Sequence, residues 1–450
     1  MISAESLGSE AFKQDYGIRY AYVSGAMVKG IASKELVIRM AQAGYLAFFG
    51  TGGLSLPVIE ENIKAIQLAL GGDTGYGMNL LCNLARPDME MAAVDMFLRY
   101  GVSNIEASAF MQVTPALVKF RLSGLQRNAE GHPVARHRLM AKLSRPEIAE
   151  LFLSPAPKQI VERLLQQGQI NAEEAALSER LPLASDVCVE ADSGGHTDMG
   201  NAAVLIPAMI RLRDSMQQRY QYHQPVRVGA GGGIGTPESA ASAFVLGADF
   251  ILTGSINQCS VEAGTSAAVK DMLQELNVQD TDYAPAGDMF ELGARVQVMK
   301  KSVFFPARAN KLHDLWRNHS SLDAIDSATR KQIQEKFFGR SFDDVYSETK
   351  SYYLSEMPAE IARAEQQPKV KMALIFRWYF IHTMRLAAAG DISQRVNFQV
   401  HCGPALGAFN QWVQGTALQD WHNRHVDQIA ALLMNETAEF LQHRFQRWQR

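Results

Sequence analysis

The run Asp192–Ser193–Gly194–Gly195–His196 places an imidazole directly behind a glycine pair, at the predicted end of a strand over Val187–Ala191. An imidazole titrates near neutrality, so at such a place it can give or take a proton beside a reacting group. Gly194 and Gly195 carry no side chains and let a flat ligand approach the backbone. A second glycine-rich run, Gly229–Gly235, closes the strand-like Val226–Gly229 and leads into a helix-length segment, Pro237–Leu246. Thr253–Gly254–Ser255 closes the next strand-like run, Phe250–Leu252. Backbone N–H groups at Gly231, Gly232, Gly233, Thr253, Gly254 and Ser255, next to a helix start, suit a phosphate. A dinucleotide-binding turn fits less well, because the spacing is not G-x-G-x-x-G and the unit sits mid-chain.

Other predicted strand ends supply groups of a different kind. Gly25–Ala26–Met27, Asn79 and Lys142 bring backbone groups, a side-chain amide and an ammonium to the same face. Amide and backbone groups suit a heteroaromatic ring with donors and acceptors; Lys142 suits a ring carbonyl or a phosphate. A phosphate cradle plus such a shelf fits flavin mononucleotide (FMN), and equally a phosphorylated sugar substrate. Glu190, Asp192, His196 and Asp198 could be read as metal ligands, but no second histidine or cysteine stands at ligand spacing, so no metal is expected.

The elements that position these residues alternate. Strand-like runs fall near residues 20, 46, 78, 105, 140, 188, 227 and 251, separated by helical patterns such as the one capped by Ser33 and the one opened by Pro87. Eight such units predict a (β/α)8 barrel, a TIM barrel, with a doubly wound open sheet as the alternative. Its catalytic face lies at the strand C-termini, and its phosphate cradle follows strands 7 and 8. The barrel is expected over 1–295, with 1–18 as a polar lead-in and Ser260–Leu276 as the closing helix. Residues 154–185 read as a helical insertion, either a lid or a surface elaboration. A mostly helical extension follows over 296–450, where the apolar run 373–381 reads as core rather than as a docking helix.

With 450 residues, 20% charged and a net charge of −3, the chain gives no electrostatic case for nucleic acid or an anionic membrane. The four cysteines form no C-x-x-C pair and read as reduced, buried thiols. The N-terminal residues hold no apolar signal-like run, and a cytoplasmic protein is expected.

The motifs GAM (25–27), FFGTGGLS (48–55), EADSGGHTD (190–198), VGAGGGIGTPESA (228–240) and TGSINQCSVEAGTS (253–266) resemble the FMN-dependent trans-acting enoyl reductases. These serve polyunsaturated fatty acid synthases and polyketide synthases lacking integrated acyltransferases. A more distant resemblance is to nitronate monooxygenases and the flavin-dependent bacterial enoyl-carrier-protein reductase. The close resemblance continues through APAGDMFELGARVQV (284–298), FPARANKLHDLW (305–316), KMALIFRWY (371–379) and GPALGAFNQWVQGT (403–416). It implies FMN in the barrel mouth and NADPH as reductant. Hydride would pass through the flavin to the β-carbon of an enoyl thioester, with His196 protonating the α-carbon or stabilising the enolate oxygen. The substrate would arrive on an acyl carrier protein of a polyketide or fatty acid synthase, steered by Lys300, Lys301, Arg308 and Lys311 or leaving these as ordinary solvated charges. Homodimerisation stays open. The alternatives are a nitronate monooxygenase-like oxidase, a non-catalytic synthase scaffold, and a barrel acting on a sugar phosphate. An acyltransferase is excluded by the lack of a G-x-S-x-G elbow.

Overall fold

The computed structural model describes residues 2–72 and 75–449. Apart from a two-residue pairing at 126–127 and 133–134, its strands in chain order are β1 Tyr22–Ser24, β2 Leu46–Phe49, β3 Tyr76–Leu81, β4 Asn104–Ser108, β5 Arg138–Leu143, β6 Asp186–Glu190, β7 Gly195–Thr197, β8 Arg227–Gly231, β9 Ile251–Thr253, β10 Thr281–Pro285 and β11 Arg295–Met299. Eight of them close an all-parallel barrel in the order β1-β9-β8-β6-β5-β4-β3-β2, and these are the eight strands the alternation predicts. The open-sheet alternative is thereby removed.

The chain forms two compact units: Met1–Asp192 with Met199–Gly264 and Ala408–Arg450, and Ser193–Asp198 with Thr265–Gly407. The single boundary expected at 295/296 gives way to this interleaved division. The last helix, Val426–Trp448, packs on the barrel helices Pro237–Val245 and Lys34–Gln42 and buries Ile429, Leu433 and Met434. Arg39 pins it, reaching Asp427 at 2.6 Å and Glu262 at 3.2 Å, while His425 Nδ1 lies 2.5 Å from Glu262.

Inside the barrel unit, the lumen is filled rather than open. Val23, Leu46, Phe48, Met140, Cys188, Phe250 and Leu252 point inward, and the helix Glu10–Tyr16 inserts Phe12 beneath them, stacked on Phe250 at 4.3 Å. The first residues are thus a plug, not a polar lead-in. Ser33 caps the helix Lys34–Gln42 by accepting from Leu36 N–H at 3.1 Å, and Pro87 opens Pro87–Arg99 as expected.

One expectation is narrowed and another corrected for local reasons. The insertion forms helices Lys158–Gln166 and Ala172–Leu177, but these follow the helix Pro146–Leu153 and precede β6. They pack beside Pro115–Leu122 and bury Val161, Leu164 and Leu177, and Ser185 N–H then donates to Leu139 O at the start of β5. This is the return path to the N-terminal end of the barrel, so the segment is not a lid over the strand C-termini. The helix expected over Ser260–Leu276 forms only over Ala267–Leu273, because Gly264 abuts the Gly30 backbone and donates to Ile31 O at 2.9 Å; a separate short helix, Ser255–Gln258, precedes that range.

The second unit holds an antiparallel sheet in the order β10-β11-β7, with helices Phe305–Asn318, Phe342–Glu356, Pro358–Gln366 and Pro368–Ala389. Residues 372–376 and 378–380 are buried in its core with Phe290, Phe305 and Phe338, so the apolar run is core. Among the described residues, no helix is long and apolar enough to cross a membrane. All four cysteines are free.

Candidate active site

Register explains which side chains meet at the strand ends. Paired residues of parallel strands face the same side, and alternate residues along a strand share a face. Asn79 pairs with Glu106, Glu106 with Met140, and Lys142 with Cys188, which puts Asn79, Glu106, Lys142, Cys188 and Glu190 on the lumen side. Lys142 Nζ lies 3.2 Å from Glu190 Oε1. Glu106 is wholly buried; its Oε2 accepts from Ala26 N–H at 3.1 Å and from Asn79 Nδ2 at 3.3 Å.

Glu106 is the residue that sequence reasoning missed. Burial pushes its carboxyl up to about 7, against the pull of the Lys142 ammonium and the Ala26 N–H. Burial likewise opposes the charge on Lys142, but Glu190 and Glu106 outweigh it and hold the ammonium above the ordinary lysine range. The Cys188 thiol is raised by burial and is inert. Glu106 also revises the expected ring shelf. The Ala26 N–H is committed to it, and the Asn79 amide donates to Glu106 O, Glu106 Oε2 and Ser108 Oγ. Gly25 N–H donates to Thr253 O, and Met27 O accepts from Ala32 N–H. These residues therefore build the rim of the barrel, leaving the Asn79 Oδ1 and the Lys142 ammonium as its polar functions. The signal was a carboxylate inside a strand, Ile105–Glu106–Ala107, where a barrel strand is ordinarily apolar.

The glycine cradle divides into positions with different work. Gly231 O accepts from Ala191 N–H at 3.0 Å. Gly232, at φ +88°, would bring a Cβ to 2.5 Å from Ala191 O, so it exists for backbone packing rather than for a ligand. Gly233 and Gly254 face open space, with nothing within 4 Å of a Cβ built there. Thr253 is tied down, its hydroxyl 2.5 Å from Tyr22 Oη and accepting from Asn257 Nδ2, and Ser255 opens the short helix. The helix after the glycines caps itself: Ser239 Oγ accepts from Gly235 and Thr236 N–H. Free space for an anion is thus at Gly233 and Gly254, not at that helix start. The residues present fit a phosphate there.

His196 lies in the second unit. It is not on a free loop, as expected, but on β7, where it pairs antiparallel with Val296 of β11. Gly195, at φ +83°, gives the turn into that strand, and Gly194 lies against the Cys402–Gly403 backbone, where a Cβ would approach to 2.7 Å. The imidazole is half exposed, and its Nε2 is 2.9 Å from Asp288 Oδ1. Burial raises the Asp288 carboxyl, but the hydrogen bond and charge of His196 prevail and hold it below the ordinary carboxylate range. His401 stands edge-on to His196, with centroids 6.5 Å apart, and its Nε2 is 2.8 Å from Gln399 Nε2. Asp288 and His401 lie in the motifs APAGDMFELG and HCGPALG, whose residues sequence reasoning did not single out. Of the four residues read as a metal set, Glu190 pairs with Lys142 and His196 with Asp288.

Of the expected steering cations, Lys300, Lys301 and Lys311 are exposed. Arg308 instead packs over Phe304 and Phe337 at 5.1 and 5.0 Å and bonds Asn397, so its charge serves the fold.

Residues 319–398 match the family model described as [Acyl-carrier-protein] S-malonyltransferase, inserted helical domain. The chain is 56% identical over 445 residues to Polyketide biosynthesis protein PksE of Bacillus subtilis, covering 99% of this chain and 58% of that protein. It is 53% identical over 441 residues to Polyketide biosynthesis protein ThaF of Burkholderia thailandensis, covering 98% of this chain and 38% of that protein. A polyunsaturated fatty acid synthase polypeptide of Thraustochytrium sp. is 42% identical over 416 residues, covering 92% of this chain and 28% of that protein. The chain thus spans little more than half, or less, of the length of these relatives. A crystal structure of the enoyl reductase domain of MlnA, from the macrolactin biosynthesis cluster of Bacillus amyloliquefaciens, superposes with a TM-score of 0.95 at 44% identity, covering 98% of this chain and 99% of that one.

Proposed function

The chain belongs to the family of the MlnA enoyl reductase domain, and from that premise we propose that it is an FMN-dependent enoyl reductase acting in trans on enoyl thioesters carried by an acyl carrier protein. The observation that carries this reading is the end-to-end similarity to that domain, with both chains covered almost completely. NADPH is the proposed reductant, and a polyketide or fatty acid synthase in the cytoplasm the proposed setting. When bound, FMN would supply the hydride chemistry linking the nicotinamide to the β-carbon of the enoyl thioester.

This chain's own residues have separable tasks. Gly233 and Gly254 offer backbone N–H groups and room for the phosphate. Lys142 and Asn79 Oδ1 would offer a cation and an acceptor to the ring, and Glu106 holds the Asn79 amide and the Ala26 N–H at the rim. His196, oriented by Asp288, supplies a proton to the α-carbon or a hydrogen bond to the enolate oxygen. Exposed Lys300 and Lys311 suit an acidic carrier domain. The match to a helical domain of a malonyltransferase does not favour acyl transfer, because this chain carries no G-x-S-x-G nucleophile elbow.

The direct test is an anaerobic absorbance spectrum of the purified chain, read again after NADPH and after a crotonyl thioester. Flavin absorbance that bleaches with NADPH and returns with the thioester is expected. Bleaching that returns only with oxygen or a nitronate, and never with a carrier-bound enoyl thioester, would refute the reading. The cradle has its own test. Gly254→Ala should retain FMN, since nothing lies within 4 Å of the added Cβ. Gly254→Asp should bind it about 10–10³-fold more weakly, through repulsion of the phosphate at close range. Equal retention of FMN by both variants, titrated by fluorescence, would move the phosphate elsewhere.

A further inference from the structure

Away from the strand C-termini, three side chains of the barrel unit offer metal donors that no other described residue engages. Glu130 and His132 lie on the connection between the helix Pro115–Leu122 and β5. His223 lies on the connection between the helix Ala202–Tyr220 and β8. One carboxylate oxygen and one ring nitrogen from each histidine all lie within 4.8 Å of one another, the one such group of three among the described residues. The two imidazoles stack at 3.8 Å between centroids, 10° from parallel. Among the described residues the Glu130 carboxylate has no cationic partner, and neither ring makes a hydrogen bond.

The backbones beneath these side chains are fixed. Asn128 Oδ1 accepts from the N–H groups of Glu130 at 3.1 Å and His132 at 2.8 Å, and Gly131, at φ +80°, closes the turn. Next to His223, Tyr222 is buried, donates its hydroxyl to Leu153 O at 3.0 Å, and accepts from Gln217 Nε2 at 2.7 Å. Only the side chains, exposed at Glu130 and His223 and half-buried at His132, need to adjust.

We propose that Glu130, His132 and His223 form a binding site for a divalent transition-metal ion of the zinc type, tying the connection into β5 to the connection into β8. Two imidazoles and one carboxylate are the donor set that zinc takes with water as fourth ligand, at bonds of about 2.0–2.2 Å. Tetrahedral bonds of that length set donors about 3.3 Å apart, so the three need to close by up to about 1.5 Å, by χ rotation at two exposed positions and one half-buried one. Calcium and magnesium favour all-oxygen sets and are disfavoured here. Both connections run from helix to strand, which places the site at the N-terminal end of the barrel. Its consequence is stability, since β5 and β8 flank β6 in the barrel order and a bound ion stabilises only the folded chain.

The test uses the full chain, stripped with a chelator, equilibrated with zinc chloride and dialysed. One zinc per chain and a zinc-dependent rise in thermal midpoint are expected. His223→Gln should lower the affinity more than about 100-fold, because loss of even an outer partner of a zinc ligand costs 10–100-fold. Glu130→Gln, at an exposed carboxylate, keeps the test open if the histidine variant folds poorly. Cobalt substitution should give tetrahedral d–d absorption without a thiolate charge-transfer band. A thiolate band would assign the ion to one of the four cysteines and overturn the proposal. So would no stoichiometric uptake, or uptake undiminished in both variants.

Discussion

Replacing His196 with alanine is expected to lower enoyl-thioester reduction by about 10²–10⁴-fold, the usual contribution of a positioned acid or base. FMN content and bleaching by NADPH should stay as in the parent chain. Asp288 lies 2.9 Å from Nε2 and keeps its charge under the influence of the imidazole. Reciprocally, the carboxylate favours the protonated ring, which is the form able to deliver a proton. Asp288→Asn removes that support, so the ring loses its proton at lower pH. If His196 acts as an acid, the alkaline limb of turnover in the variant therefore moves to lower pH, while the acidic side approaches the parent rate. Turnover against pH for the two proteins measures this. A uniform loss across pH would leave Asp288 a structural role, and an unchanged rate for His196→Ala would remove the histidine from the reaction.

The barrel was legible because its signal is repetitive and local. Each strand is a short, mostly apolar run, and helix starts carry local marks, Ser33 and Thr236 as N-caps and Pro87 in a first turn. The sheet of β7, β10 and β11 was not legible, since its three short strands pair across a long stretch of chain and none carries an alternation long enough to be read alone. His196 was found by its glycines, but its partner Asp288 lies 92 residues away and nothing local links them. Glu106 was missed for a different reason. Its work is to accept from Ala26 and Asn79, and that role exists only once parallel register places β3 and β4 side by side. The glycines point the same way: Gly232 and Gly233 are adjacent and identical in type, yet one packs on Ala191 and the other faces open space. Residue type marks where the chain comes close to something, and only the fold decides to what.

The second large effect concerns Lys142. Exchanging it for methionine keeps the length of the side chain but leaves Glu106 and Glu190 without their cation, and breaking a buried pair in this way costs about 3–5 kcal/mol. The cost should depend on pH. In the parent chain the Glu106 carboxyl is raised to about 7. A carboxyl raised on folding contributes stability that is fully present below its unfolded pKa, about 4.3, and is lost as pH rises through the folded value. Removing Lys142 raises the folded value further, so the loss extends above pH 7. Lys142→Met should therefore be strongly destabilised at about pH 8 and only slightly at about pH 5, where Glu106 is protonated in both proteins. Glu106→Gln, added to Lys142→Met, should recover much of the stability at high pH and flatten the dependence, because a neutral amide can still accept from the Ala26 N–H. Urea midpoints of the parent, the single variants and the double variant at the two pH values decide the matter. Equal destabilisation at both would mean that Lys142 stabilises the rim through packing alone. A pH-dependent loss relieved by Glu106→Gln would show that its charge holds the buried Glu106 and half-buried Glu190 together beneath the proposed flavin site.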